Sequence, residues 1–426
     1  MPTILDHFKT LTKIPHCSKK SDALMHYLKK FSEERGYQVE IDKAKNIYIH
    51  KGHSALCLQA HYDMVCMGDA PTIETYEEKG WLKAKNASLG ADNGMAIAMM
   101  MHLMDAGEAL EFLLTSDEEI GLIGANALSF DLQSKYMLNL DSEDEAEVYI
   151  GCAGGVDIVA CKKVEMVECK ENFYEVSVKN LPGGHSGVDI DKDIPSAIKV
   201  LVNYLDRNNV TKLSSFFGGE RRNSIPVNAK AIVASNISLN EDTHIEVKML
   251  ERKYKILKEG EVFFETIQKF KDGVRAHNNE FDIPDVSINL AIVSADERNG
   301  IGIECSARAM SVNGLEKLTE ETVSFFKQYG LEVTVEDKYP AWKPDISSFT
   351  HLVNTEMKKE FGGSKLMAIH AGLECGVIAE KYPEMKFASI GPTIRYPHST
   401  REKVNLLSVE RMHRVLLGIV GEINNL

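Results

Sequence analysis

The segment ALCLQAHYD, residues 55–63, decides the fold because it reads as a short buried strand that ends in polar side chains. His61 and Asp63 lie two positions apart at its end, so their side chains project from the same face of the strand. An apolar helix and two similar strands follow: MAIAMMMHLMDAG (95–107), LEFLLTSD (110–117) and YMLNLDSED (136–144). Strands that alternate with helices predict an α/β sheet with parallel pairs.

The pattern changes near Tyr174, where alternating strands such as YEVSVKN are joined by a few long amphipathic helices. This pattern predicts an antiparallel sheet with helices on one face. Near Trp342 the first pattern returns. We therefore expect an α/β protein whose discontinuous domain, with a mixed, mainly parallel sheet, spans residues 1–172 and 344–426. An inserted α+β domain with an antiparallel sheet would span residues 173–343.

Composition narrows the class of partner. The 426 residues carry a formal net charge of −14 at pH 7, which repels nucleic acid and anionic membrane surfaces. No apolar run reaches the roughly 20 residues that span a bilayer. The first residues lack the basic and apolar segments of an export signal, and the eight cysteines form no C-x-x-C pair. We therefore expect reduced thiols and a cytoplasmic location.

The acidic motifs near the strand ends each have a structural explanation when taken alone. Asp92 lies between two glycines and could cap a helix, and the run Asp117, Glu118 and Glu119 could stabilise a helix N-terminus. Together, these motifs deliver carboxylate and imidazole groups to the edge where α/β sheets bind ligands. Such donors suit Zn²⁺, or Mn²⁺ or Co²⁺, better than Mg²⁺ or Ca²⁺. A dinucleotide site is the competing explanation, but no G-x-G-x-x-G motif follows a strand.

Eight segments, in order along nearly the whole chain, resemble a known family. The first five resemble metallopeptidase family M20, and the last three resemble its aminoacyl-histidine dipeptidase branch. The segments are H-Y-D (61–63), G-A-D-N-G (90–94), S-D-E-E-I-G (116–121), N-L-D-S-E (139–143), G-G-H-S-G (183–187), R-N-S-I-P (222–226), I-H-A-G-L-E-C-G (369–376) and G-P-T-I-R-Y-P-H-S (391–399). The resemblance implies an enzyme that hydrolyses unblocked dipeptides, with Xaa-His among the candidate substrates.

The resemblance also implies a centre of two divalent metal ions, with Zn²⁺ favoured and Mn²⁺ or Co²⁺ as alternatives. Asp92 and a hydroxide would bridge the two ions. One ion would also bind His61 and Asp141, and the other would bind Glu119 and His398.

Three further features near the metals follow from the same resemblance. Glu118 would be the general base that takes a proton from the attacking water and passes it to the leaving amine. Asp63 would orient the ring of His61. The peptide bond between Asp92 and Asn93 would be cis.

The remaining implied roles concern the substrate. His185 would donate a hydrogen bond to the tetrahedral oxyanion, and Asn223 and Arg308 would bind the substrate carboxylate. We assign His370 and Glu374 to the substrate pocket, although a packing role fits them equally well. A histidine in a glycine-rich turn and a lone arginine on a strand also have ordinary structural explanations. The inserted domain would serve as a lid and would form a homodimer.

Two other functions fit the same residues. An M20 aminoacylase or carboxypeptidase that cleaves N-acyl amino acids would use the same metal centre. A catalytically silent paralogue would bind metal as a scaffold, but the retention of Glu118 argues against it because metal binding needs no general base. Val227, which follows Ile225 and Pro226, replaces an arginine of many relatives, so the anion contacts there could differ.

Overall fold

The computed structural model describes residues 2–425, in which several helices begin at side-chain caps that the sequence supplies. Thr3 and Asp6 form a reciprocal capping box at the first helix, and Ser347 and Thr350 form another. The ten α-helices of the described residues are α1 (Ile4–Leu11), α2 (Asp22–Glu33), α3 (Ala91–Ala106), α4 (Ile123–Asn126), α5 (Ala197–Arg207), α6 (Gly260–Lys269), α7 (Val312–Gln328), α8 (Ser348–Phe361), α9 (Glu374–Lys381) and α10 (Leu406–Glu422).

The strands are short in the first third of the chain and longer in the middle. They are β1 (Gln38–Ile41), β2 (Ile47–His50), β3 (Leu56–His61), β4 (Thr75–Glu78), β5 (Trp81–Ala84), β6 (Glu111–Thr115), β7 (Tyr136–Asn139), β8 (Glu147–Cys152), β9 (Gly154–Lys162), β10 (Met166–Glu168), β11 (Asn172–Val178), β12 (Gly184–His185), β13 (Lys212–Gly218), β14 (Ser224–Ile225), β15 (Ala229–Ser235), β16 (Ile245–Leu250), β17 (Lys255–Leu257), β18 (Gly273–Asn278), β19 (Ile283–Asp296), β20 (Gly300–Ala309), β21 (Glu332–Tyr339), β22 (Lys365–Ile369), β23 (Lys386–Ser389), β24 (Ile394–Arg395) and β25 (Lys403–Asn405).

The first of two compact units is discontinuous, and its centre is an eight-stranded sheet in the order β1-β2-β6-β3-β7-β23-β8-β22. The central strands β6, β3, β7 and β23 are parallel, and antiparallel pairs flank them. Every residue of β3 is buried, as expected for a parallel strand covered on both faces. The predicted mixed sheet with a parallel centre is confirmed. Since β6, β3 and β7 are parallel neighbours, their carboxyl ends open at one edge of the sheet.

The second unit contains a nine-stranded sheet in which every strand pair is antiparallel. Its apolar core combines residues of the sheet with residues of α5, α6 and α7, such as Phe216, Ile267 and Phe326. This arrangement confirms the predicted α+β character of the middle of the chain.

The boundary between the units differs from the predicted one. The first unit comprises Met1–Cys152, Trp342–Ala368 and Leu373–Leu426, and the second comprises Ala153–Ala341 and Ile369–Gly372. The chain therefore enters the second unit about twenty residues before the predicted position 173. The cause is β9, which pairs with β20 and β21 and so belongs to the antiparallel sheet.

Two local expectations are wrong. The sequence EEIGLIGANALS (118–129) predicts a helix, but Asp117, Gly121 and Leu122 adopt positive φ angles and leave a 3₁₀ turn followed by the short α4. The expectation of only reduced thiols also fails, because Cys17 and Cys66 form a disulfide between loops far apart in sequence. In the described part of the chain, none of the helices is both long and apolar enough to cross a bilayer.

Candidate metal centre

The open edge of the central sheet in the first unit carries the predicted metal ligands. His61 is the last residue of β3 and is only 1% exposed. Asp141 follows β7 by two residues, and Glu119 lies in the 3₁₀ turn after β6. Asp92 lies in the first turn of α3, where the Asp92–Asn93 peptide bond is cis. Parallel strands and one helix N-terminus thus bring four side chains together from positions up to 80 residues apart.

Asp92 divides its two carboxylate oxygens between two histidines. Its Oδ1 lies 3.1 Å from Nε2 of His61, and its Oδ2 lies 3.1 Å from Nε2 of His398. Nε2 of His61 is also 3.3 Å from Oδ1 of Asp141, and Nε2 of His398 is 2.9 Å from Oε2 of Glu119. The result is two groups of ligand atoms that share one carboxylate.

His398 reaches this place from the C-terminal part of the discontinuous unit. It lies in the loop between β24 and β25 with a φ angle of 54°, and its side chain is 45% exposed. The Asp92 and Glu119 side chains that it contacts are 12% and 4% exposed. One side of the centre therefore faces solvent through His398, and the other side is buried.

Glu118 and Asp63 adjoin the two groups and are linked to each other. The Glu118 backbone N–H donates to Oδ1 of Asp63 at 2.9 Å, and the Ser18 hydroxyl donates to Oδ2 at 2.7 Å. Nδ1 of His61 lies 3.0 Å from the main-chain carbonyl of Asp63 but 3.6 Å from its carboxylate. The hydrogen bond that orients the His61 ring therefore goes to the backbone of Asp63, since 3.6 Å is too long for one.

The crowded carboxyl groups of this cluster favour their protonated forms when no cation is bound. Burial raises the pKa of the Glu118, Glu119 and Asp141 carboxyl groups above the ordinary values. Burial opposes the protonation of His398, but the hydrogen bonds that its ring donates to the carboxylates of Asp92 and Glu119 outweigh burial and raise the pKa of His398 to about 11. Such large pKa shifts are typical of functional sites, where carboxylates crowd together in a region of low dielectric constant.

The donor set fits divalent metal ions. Ligand atoms of three residue groups lie within 4.8 Å of one another: His61, Asp92 and Asp141; Asp92, Glu119 and His398; and His61, Glu118 and Glu119. Oε1 of Glu119 is buried and has no hydrogen-bond partner in residues 2–425. A buried carboxylate oxygen without a donor is costly, and a coordinated cation would relieve that cost. Imidazole and carboxylate donors in this proportion suit Zn²⁺, Mn²⁺ or Co²⁺.

Glu374, for which the sequence left a pocket role and a packing role open, lies inside the first unit. It is 0% exposed, and its Oε2 accepts hydrogen bonds from Nε2 of Gln59 and the hydroxyl of Thr115, both at 2.6 Å. Gln59 in turn accepts a hydrogen bond from Nδ2 of Asn139. Burial raises the pKa of Glu374 to about 7. The position favours an internal role in joining β3, β6 and β7 beside their ends, because a fully buried carboxylate has no surface for a substrate.

The second unit brings three other predicted residues together around Gly187. A Cβ atom at Gly187 would lie 2.5 Å from the carbonyl oxygen of His370, 3.1 Å from the His185 ring and 3.3 Å from Nε of Arg308. Only glycine allows this close approach. Nδ1 of His185 accepts from the backbone N–H groups of Gly187 and Val188, both at 3.2 Å. The ring proton of neutral His185 therefore lies on Nε2.

Arg308 and His370 are nearly buried within this cluster. Arg308 is 7% exposed and donates from Nη1 to the Tyr339 hydroxyl at 2.6 Å, but its Nε has no acceptor in the described residues. His370 is 3% exposed and its Nε2 lies 2.7 Å from the Ser287 hydroxyl. Burial and the nearby Arg308 lower the pKa of His370 to about 3. His370 is therefore a neutral imidazole beside an incompletely paired guanidinium.

Asn223 is joined to His185 through the backbone. The Ser186 N–H donates to the Asn223 carbonyl at 2.9 Å, beside the pairing of β12 with β14. Asn223 itself is exposed. The glycine-rich turn and the R-N-S-I-P segment thus form one surface.

Sequence reasoning missed one residue at the metal centre, Glu402. It is 3% exposed and accepts four backbone N–H groups from residues 89–92. Its partners lie more than 300 positions earlier, so no local pattern could have indicated the contact. Its place four residues after His398 was the only available signal.

The fold and the site together define a class of protein. A discontinuous α/β unit, a second antiparallel unit and a shared aspartate between two imidazole-carboxylate groups are the features of a two-domain metal-dependent hydrolase. Residues 57–422 match the sequence profile of peptidase family M20/M25/M40. The chain belongs to this family.

Individual relatives agree with the assignment. The chain is 32% identical to the cytosol non-specific dipeptidase of Escherichia coli strain K12, over 98% of this chain and 97% of that protein. It is similar to the crystal structure of the aminoacylhistidine dipeptidase of Vibrio alginolyticus, with 29% identity, a TM-score of 0.80 and coverage of 98% and 96%. A tripeptidase from Staphylococcus aureus, 16% identical with a TM-score of 0.62 over 99% and 98%, shares the fold.

Proposed function

We propose that this protein is a di-metal dipeptidase that hydrolyses the peptide bond of unblocked dipeptides, Xaa-His dipeptides among them. The E. coli and V. alginolyticus relatives, which are named as dipeptidases, support this substrate class because each alignment covers nearly both chains. The arrangement of Asp92 carries the proposal. Its two oxygens each lie 3.1 Å from a different imidazole nitrogen, which is the arrangement expected of a carboxylate that bridges two cations.

In this proposal His61, Asp92 and Asp141 hold one ion, and Asp92, Glu119 and His398 hold the other. Zn²⁺ is the favoured ion, and Mn²⁺ and Co²⁺ suit the same donors. The bound ions would polarise the scissile carbonyl and lower the pKa of an attacking water. The unpartnered Oε1 of Glu119 supports its assignment as a ligand.

Glu118 is the proposed general base. It is close to His61 and Glu119 but is not part of the two ligand groups that share Asp92. Its backbone is fixed by the hydrogen bond to Asp63, so Asp63 would position the base as well as the His61 ring. Glu118 would take a proton from the attacking water and return it to the leaving amine.

The cluster around Gly187 is the proposed site for the substrate carboxylate and the oxyanion. The free Nε of Arg308 is a buried donor that needs an acceptor, and a carboxylate would satisfy it. His185 carries its proton on Nε2, so that nitrogen would donate to the developing oxyanion. Asn223 would bind the substrate carboxylate with its exposed amide. The neutral imidazole of His370 would line the pocket.

The setting of the enzyme is also part of the proposal. We propose a cytoplasmic homodimer, in line with the name of the E. coli relative and with the family resemblance. Sedimentation velocity at micromolar concentration tests the assembly. A single species with the mass of one chain would contradict the dimer.

The test of the chemistry is Glu118→Gln. This variant should keep both metal ions but lose at least about 10²-fold in kcat, because a neutral amide cannot take the proton. Glu111→Gln is the matched control, since Glu111 is also buried and lies at the other end of β6. Metal content by mass spectrometry and kcat are measured on the same samples. Normal turnover by Glu118→Gln would refute the base assignment.

The test of the substrate class is a panel of dipeptides, tripeptides and N-acetyl amino acids. The proposal predicts that free dipeptides have the highest kcat/KM, because the relatives with full coverage are named for dipeptides. Preference for N-acetyl amino acids would instead identify an aminoacylase with the same metal centre.

A further inference from the structure

Glu402 is a buried carboxylate surrounded by backbone donors. Its Oε2 accepts from the N–H groups of Leu89 at 2.7 Å and Gly90 at 3.0 Å. Its Oε1 accepts from Ala91 at 2.8 Å and Asp92 at 3.2 Å. Four consecutive N–H groups therefore point at one side chain, which leaves none of them unpaired at the start of α3.

This segment needs an external partner because its backbone is irregular. The first N–H groups of a helix have no acceptor within the helix. Gly90 has a φ angle of 71°, and Asp92 and Asn93 have non-helical angles although they lie at the start of α3. Gly90 also packs closely, since a Cβ atom there would lie 2.9 Å from Sδ of Met64. Successive N–H groups in such a turn form a concave site for an anion, and Glu402 fills it.

The same four hydrogen bonds hold the backbone from which the Asp92 side chain projects. Oδ1 of Asp92 must face His61 while Oδ2 faces His398, and a rotation of the Asp92 backbone would misplace both oxygens. Glu402 is also four residues from His398, so one loop carries both the acceptor for residues 89–92 and a histidine that contacts Asp92. The fixation therefore acts on both ligand groups together.

We propose that Glu402 is a positioning residue that holds Asp92 in the orientation needed to bridge two metal ions. The inference rests on the proposed di-metal centre and adds the group that arranges it. Glu402 contacts no proposed ligand atom, and its action is transmitted through the backbone of residues 89–92.

Three variants separate this role from a general contribution to folding. Glu402→Gln keeps the size but presents an amide NH₂ group to N–H donors, so two of the four hydrogen bonds are lost. Glu402→Asp keeps the charge but is one methylene shorter, so the donors are pulled out of place or left unpaired. Glu111→Gln removes a buried carboxylate elsewhere in the same unit and serves as the control.

The experiment is a titration of the metal-free proteins with Co²⁺, followed by visible absorption, with thermal unfolding of the same samples. Glu402→Gln and Glu402→Asp should bind Co²⁺ about 10- to 100-fold more weakly, which is the usual effect of residues that orient metal ligands. Their absorption bands should also change in position or intensity because the geometry around the ion changes. Glu111→Gln should titrate like the wild type.

The outcomes are distinct. If Glu402→Gln or Glu402→Asp gives the wild-type spectrum with affinity within about twofold, Glu402 does not position Asp92. If Glu402→Gln fails to fold, the Glu402→Asp spectrum decides. If both variants fail to fold, Glu402 is needed for the fold as a whole and the specific role is rejected. If the wild type itself binds no Co²⁺, the di-metal centre is rejected and the role of Glu402 falls with it.

Discussion

The disulfide between Cys17 and Cys66 should contribute strongly to stability. The two residues are 49 positions apart, and their Cα atoms are 5.5 Å apart. Cys17 lies in the loop after α1, and the neighbouring Ser18 hydroxyl donates to Asp63. The cross-link therefore joins the N-terminal loop to the loop that follows β3, next to the metal centre.

The expected magnitude follows from the length of the closed loop. In the chain-entropy estimate, closing about 49 residues removes about 14 cal/mol/K from the unfolded chain, or about 4 kcal/mol at 25 °C. This is a large share of the 5–15 kcal/mol that is typical of folded domains. Reduction of the disulfide should therefore lower the free energy of unfolding by about 4 kcal/mol.

Urea unfolding with and without a thiol reductant measures this difference. Thiol titration of the unfolded protein should find six free thiols before reduction and eight after it. The double variant Cys17→Ser/Cys66→Ser is the control, and its unfolding midpoint should not respond to the reductant. The reasoning is refuted if the oxidised wild type already shows eight thiols, or if reduction leaves its midpoint unchanged.

Three further predictions concern single side chains. His370 has a pKa of about 3 in the folded protein against 6.5 in the unfolded chain. Its contribution to the free energy of unfolding is therefore fully present above about pH 6.5 and is lost as the pH falls towards 3. Through this group the free energy of unfolding of the wild type should fall by about 2 kcal/mol between pH 7 and 5. Urea unfolding of His370→Asn should not show this decrease of about 2 kcal/mol. Asp92→Ala should lose metal ions as well as activity, and full occupancy by metal analysis would place the bridge elsewhere. His185→Ala should lower kcat at unchanged metal content, whereas Asn223→Ala should mainly raise KM, and wild-type kinetics in both would count against the substrate site.

The sheet was predictable because its signals are local. Apolar strands such as β3 and β6 are followed at once by polar side chains, and the helix between them ends before Gly107, a residue type that readily adopts the left-handed conformation found there. Parallel strands place such ends at one edge, so His61 and Asp141 come together without any knowledge of distant contacts. His398 was different, since only the family resemblance pointed to it.

Three features that the sequence alone did not determine depend on contacts that are distant in sequence. The disulfide joins Cys17 to a residue beyond β3, and β9 belongs to the second unit because it pairs with β20, which begins at Gly300. Glu374 carries the polar character of a binding residue, but Gln59 and Thr115 hold it inside the sheet. The local sequence shows which side chains are charged. Whether they are buried depends on contacts with residues that are distant in sequence.

Asp92 shows how a helix-capping explanation and a metal-binding explanation can both hold in part. The sequence allows Asp92 to cap α3, and the structure does place it in the first turn of that helix. Glu402 accepts from the backbone N–H groups of residues 89–92, and the N–H of Gly94, which Asp92 could bind as an N-cap, donates instead to the carbonyl of Gly90. Because other acceptors bind these N–H groups, both oxygens of Asp92 stay available for the pair of histidines. The start of α3 thus places at the metal centre a carboxylate whose oxygens are not used for helix capping.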